Sequence, residues 1–164
     1  MNRRTSRILL VLGILVLTIA LDQGTKVIAR NTLADSGIHR VVGNIFVLLY
    51  TENSGGFLSL GAGWPVAVRQ AIFIVLSVAI LALLLVYILR AGQLTTSVTV
   101  ALALVAGGGI GNIIDRIFRG GHVTDFLNVG IGSLRTGIFN LADFFVLVGA
   151  ILLIFASFGG RKKT

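Results

Sequence analysis

The sequence predicts an all-α integral membrane protein of four transmembrane helices, with a small extracytoplasmic β-rich segment between the first and second. Three observations predict it. Of 164 residues, 55% are hydrophobic and only 12% charged, and the mean hydropathy is +0.98, more apolar than a water-facing surface tolerates. Four apolar runs, Ile8 to Leu21, Val66 to Leu89, Val98 to Phe118 and Ile138 to Phe158, approach the roughly 20 residues that cross a bilayer. Lysines and arginines crowd short segments at the run ends. The chain reads as one membrane domain, residues 1–164, with spans at approximately 8–28, 66–89, 98–118 and 138–158.

The first run follows Arg3, Arg4 and Arg7 and is short enough to resemble a signal-peptide core, but a polar segment follows it directly, which favours a span. The segment from about 31 to 65 contains Val41 to Tyr50, rich in β-branched and aromatic residues, and then Ser54, Gly55 and Gly56. It reads as a short sheet or hairpin on the outer membrane surface, closed by a glycine-rich turn. The second run carries no chemistry. In the third, GGGIGN (Gly107 to Asn112) lies inside an apolar stretch with no preceding strand, so close helix packing accounts for it better than a nucleotide loop.

Orientation follows from the density of basic residues. Arg3, Arg4, Arg7, Arg90, Arg161, Lys162 and Lys163 sit in short tails and a tight loop, whereas the other seven are spread over longer segments. Both termini are therefore expected in the cytoplasm, with all six acids in the outer half of the protein. The net charge of +8 suits anionic phospholipid headgroups; the scattered basic residues form no nucleic-acid face. With no cysteine and two histidines, His39 and His122, thiol chemistry is excluded and no recognised metal spacing is present. No cofactor is expected.

Helical rise places the polar residues in depth. Counted from the inner ends of their runs, Asp22, Asn112, Asp115 and Asp143 lie about 21–26 Å into a hydrocarbon core of roughly 30 Å. Ionisable groups gathered at one level inside a membrane mark a site by default, the alternative being that they sit at the outer interface. Asp22 precedes Lys26, and Asp115 precedes Arg119, by four residues, the order that favours helical ion pairs. Asp125 and Asp143 have no such neighbour and are free to share a proton. Such a pair performs general acid/base hydrolysis of an amide. Asn140 also suits a helix N-cap with Asp143 three residues on, and Asn112, Asp115 and Arg116 fall on one helix face, which equally suits an interhelical clamp or a headgroup site.

In order, DQGTK (Asp22 to Lys26), the turn at Asn53 to Gly55, GNIIDR (Gly111 to Arg116), VTDF (Val123 to Phe126) and FNLAD (Phe139 to Asp143) resemble the bacterial lipoprotein signal peptidases, or type II signal peptidases. The resemblance spans nearly the whole chain. It implies an intramembrane aspartic endopeptidase of the bacterial inner membrane, with Asp125 and Asp143 as the catalytic pair. It further implies supporting or substrate-binding roles for Asp22, Lys26, Asn53, Gly55, Asn112, Asp115, Arg116 and Asn140. The implied substrates are diacylglyceryl-modified prolipoproteins, cut just before the modified cysteine; separately, the protein is expected to be monomeric. One departure stands out, because Gly56 leads directly to Phe57 where the family usually has two alanines before phenylalanine. Two other readings compete: a small proton- or ion-coupled transporter using the same carboxyl layer, and a noncatalytic lipid-binding protein.

Overall fold

A computed structural model describes residues 2–54 and 64–159. Gly55 and the Gly56–Phe57 departure lie outside the described residues. The chain runs α1 (Arg3–Leu33), β1 (His39–Val42), β2 (Phe46–Asn53), α2 (Val66–Arg90), α3 (Thr96–Phe118), β3 (Val123–Ile131), β4 (Leu134–Arg135) and α4 (Leu141–Gly159). All four helices are long and apolar enough to cross a membrane.

α1 is longer than the stretch from 8 to 28 that the apolar pattern marks. Its 31 residues extend about 46 Å, and its last turns leave the apolar regime. They stay helical because Ala29 and Leu33 are buried against Phe126 of β3, with Leu48 and Tyr50 closing the cluster. At the other boundary, α4 begins at Leu141 instead of Ile138. Phe139 donates its N–H to Leu127 O and accepts from Phe126 and Leu127, so the residues before Asn140 are used by the sheet.

The four strands form one antiparallel order, β1-β2-β3-β4. The hairpin of β1 and β2 occupies the expected segment. Its main partner, β3, comes from the connection between α3 and α4, which the sequence pattern marks only as a motif. VTDFLNVGI has the β-branched and aromatic content of a strand and is bounded by Gly120, Gly121 and Gly132, each with positive φ. Pairing of β2 with β3 sets Asn53 opposite Val123 and Thr51 opposite Asp125.

α3 is the central helix, packed most extensively against α4 and then α1. Small residues make this close approach feasible. Ala101, Ala103 and Ala106 are fully buried, a Cβ at Gly108 would run into the carbonyl oxygen of Ala142, and one at Gly111 would meet the Asp22 carboxyl. The outward faces are apolar: Val16, Val75, Leu83 and Phe155 are each about two-thirds exposed or more. Such surfaces are stable only in lipid.

Candidate active site

The polar layer is assembled from the C-terminal halves of α1 and α3, the first turn of α4, and β3. Lys26 lies at its centre and is completely buried. Its Nζ contacts Asp22 Oδ2 at 2.9 Å and Asp115 Oδ2 at 3.3 Å, and donates to Asn112 Oδ1 at 3.0 Å. The ammonium is thus satisfied by three acceptors, which is what makes a buried charge tolerable. Asp22 also accepts from the Ala142 N–H at 3.0 Å, so it neutralises Lys26 and caps the start of α4 at once.

The expected ion pair of Asp22 with Lys26 forms; that of Asp115 with Arg119 does not. Asp115 is on the face of α3 turned toward α1 and is almost fully buried; besides Lys26 it accepts from the Thr124 N–H at 2.9 Å. Arg119 is the C-cap of α3, with φ −127° and ψ 35°, and leaves the helical path. Its Nη2 reaches Glu52 of β2 at 3.3 Å. Four-residue spacing cannot anticipate this, because the helix ends between the two residues' side-chain directions.

Asp125 and Asp143 join no ion pair among the described residues. They are linked instead through amides. Asn140 is the pivot: its Nδ2 donates to Asp125 Oδ1 at 2.6 Å and to Asn112 Oδ1 at 3.1 Å, while its backbone N–H donates to Asp143 Oδ2 at 3.1 Å. In return, Asn140 Oδ1 accepts the Asp143 N–H at 3.0 Å. This is a reciprocal cap of the capping-box kind, with aspartate in the third position. The capping role and the site role of Asn140 are therefore one geometry. Asn112 Nδ2 completes the set by donating to Asp143 Oδ1 at 2.8 Å.

The second oxygen of Asp125 accepts from Asn53 Nδ2 at 3.1 Å, which ties β2 to the site. Asp125 and Asn140 are buried, whereas Asp143, Asn112 and Arg116 are half-buried and form the accessible side. Arg116 makes only a long contact to its own helix, Nη1 to Asn112 O at 3.5 Å, and lies in the field of the Asp143, Asp125 and Asp115 carboxyls. Burial, and then the neighbouring charge of Asp143, raise the Asp125 carboxyl from an ordinary 3.8 to about 6. Such a carboxyl keeps its proton to a higher pH than an ordinary aspartate does.

Three further residues belong to this network. Gln23 Nε2 donates to Asp22, to the Gly111 carbonyl and to Asp115, at 3.0, 3.1 and 3.3 Å. Thr124, fully buried, receives Arg30 Nη1 at 3.3 Å on its hydroxyl. Gln23 and Thr124 lie inside the DQGTK and VTDF motifs, and their polarity next to an aspartate in an apolar setting is the signal that points to them. Among the described residues no cluster of three or more metal-ligating side chains occurs.

Comparison with known proteins gives one answer at every level. The signal peptidase (SPase) II family matches residues 14–159. The lipoprotein signal peptidases of Paraburkholderia phymatum and Burkholderia vietnamiensis are each 37% identical over 147 residues, covering 88% of this chain and 84% of theirs. Two solved structures, both described as bacterial membrane enzymes determined by the in meso method, superpose over 94% of the chain. One, at 2.3 Å resolution, has a TM-score of 0.80 at 26% identity over 92% of its length; the other, at 1.9 Å, has 0.79 at 28% over 94%. The sequence motifs, the four apolar helices and the carboxyl layer thus converge. The chain belongs to the signal peptidase II family, and it is a multi-pass membrane protease with signal peptidase function.

Proposed function

We propose that the protein is an aspartic endopeptidase that removes signal peptides from prolipoproteins, cutting just before the diacylglyceryl-modified cysteine, with Asp125 and Asp143 as its catalytic pair. The observation that carries this reading is the amide bridge. Asn140 and Asn112 hold two carboxyls in one network, and neither carboxyl is neutralised by a cation in contact among the described residues. A carboxyl made harder to ionise by burial and by a neighbouring carboxylate is suited to donate a proton. Asp125, raised to about 6, is the candidate proton donor.

In the reaction, the ionised carboxyl takes a proton from water as the water oxygen attacks the scissile carbonyl. The neutral carboxyl donates its proton to the carbonyl oxygen, giving a neutral tetrahedral diol. Proton transfer to the amide nitrogen then lets the carbon–nitrogen bond break, and the carboxyls return to their starting state. Arg116, a fixed fork of donors at the accessible side, suits a headgroup phosphate or a substrate carbonyl. Asp22, Lys26 and Asp115 support the site from behind, and Asn53 orients Asp125.

The names of the relatives support lipid-modified precursors as the substrate class. A substrate with acyl chains is concentrated in the bilayer, where its cleavage point meets a carboxyl layer just inside the outer boundary. The basic density around both termini supports an orientation with those termini in the cytoplasm and the site toward the outside of the inner membrane. The transporter and noncatalytic lipid-binding readings have no support in these similarities. Incubation of the purified protein with a lipidated precursor, followed by mass measurement of the products, tests the proposal. Asp125→Asn and Asp143→Asn are expected to abolish cleavage while remaining folded; full activity in either variant would sink it.

A further inference from the structure

At the end of the bundle away from the carboxyl layer, the N-termini of α1 and α3 and the C-terminus of α2 surround a cavity of about 1080 Å³. Arg3, Arg4, Arg7 and Arg90 line it, and among the described residues no aspartate or glutamate does. Lys26 and Arg119 do meet acids, at Asp22, Asp115 and Glu52, and no other place among the described residues gathers four guanidinium groups around one space. Arg3, Arg4 and Arg90 are exposed and Arg7 is half-buried, so together they make a positive potential that concentrates anions in this space.

Arg7 gives the cavity fixed donors. Its Nη1 donates to Ala91 O at 2.6 Å and its Nη2 to Leu89 O at 3.4 Å, both carbonyls at the C-terminal end of α2. The guanidinium is thereby held in place, while its Nε is buried with no hydrogen-bond partner among the described residues. Thr95, the N-cap of α3, lines the same space, so the positive end of the α3 dipole adds to the potential of the arginines.

We propose that this cavity binds the phosphate headgroup of an anionic phospholipid. The source is a lipid because the cavity is continuous with apolar helix flanks: Leu10 and Leu89 are part of its wall, and the neighbouring Leu9, Leu12 and Val86 are exposed. Acyl chains can run along those flanks, whereas a free anion uses the arginines alone. A zwitterionic headgroup carries its own cation into a space where four arginines oppose it. The proposal goes beyond the peptidase reading and does not rest on it.

Native mass spectrometry of the purified full-length protein, titrated with phosphatidylglycerol and with phosphatidylcholine, tests it. Arg3→Gln combined with Arg90→Gln removes two exposed arginines and leaves the contacts of Arg7 to α2 intact. Phosphatidylglycerol affinity is expected to fall roughly fivefold per arginine, about 25-fold for the pair. An unchanged thermal midpoint reports that the double variant is folded, independently of any cleavage assay. Inorganic phosphate in large molar excess is expected to leave the lipid bound. Equal binding of the two lipids by the wild type, or undiminished phosphatidylglycerol binding by the double variant, overturns the proposal. Displacement by inorganic phosphate overturns it in favour of a soluble anion.

Discussion

At the scale of the residue, Asn140 and Asp125 decide how the candidate site behaves. Asp125 holds its proton better in the folded state, at about 6, than the ordinary 3.8 of an unfolded chain. Between those values the folded protein binds more protons than the unfolded one, so this group's contribution to stability is present at low pH and is lost as pH rises through that window. The same sign governs activity. If the neutral Asp125 donates the proton, kcat/KM falls as pH rises through about 6, measured with a lipidated precursor over a pH series. On the proposed reading Asn140 is a positioning residue as well as the cap of α4, and substitution separates the two roles. Asn140→Ser keeps a good N-cap and is expected to stay within about 1 kcal/mol of wild-type stability, yet to lose on the order of 100-fold in kcat because the amide bridge is gone. Asn140→Asp provides the contrast, since it adds a third carboxyl to the pair and shifts the pH profile upward. A parallel fall in stability and activity in the serine variant would mean the residue only caps α4.

At the scale of the element, glycine determines how close α3 comes to its neighbours. Gly111 faces the Asp22 carboxyl and the Ala142 side chain, so Gly111→Ala forces α1 or α4 outward and is expected to cost about 1–3 kcal/mol. Gly13 of α1 has open space where a methyl group would project, so Gly13→Ala is expected to be neutral or to add up to about 1 kcal/mol. Thermal unfolding in detergent separates the two. GGGIGN was legible in the sequence as a packing element for this reason: glycines in an apolar helix leave little else to do. The sheet was legible only in part. The hairpin near Val41 to Tyr50 follows from composition, but its pairing with β3 joins residues about seventy positions apart, as in Asn53 with Val123, and local pattern carries no information about such partners. The extension of α1 to Leu33 has the same origin, a tertiary contact with Phe126.

At the scale of the whole molecule, the bilayer is the solvent and orientation is the main consequence. The chain has no cysteine, so single introduced cysteines report their surroundings without interference. Ser133→Cys, exposed in the turn between β3 and β4, is expected to react with a membrane-impermeant maleimide in intact spheroplasts. Gln93→Cys, exposed between α2 and α3, is expected to react only after the membrane is opened. The reverse pattern would invert the proposed topology and place the carboxyl layer on the cytoplasmic side.

By itself, the sequence determined that this protein lives in lipid and how many helices it offers. Those properties are set by composition, by apolar runs of roughly 20 residues and by helical rise, all of which are local. The tertiary structure decided which carboxyl meets which partner. Asp115 turned to Lys26 instead of Arg119, and Asn140 joined Asp125 to Asp143, because burial makes each charge and amide seek the partner that packing brings within reach.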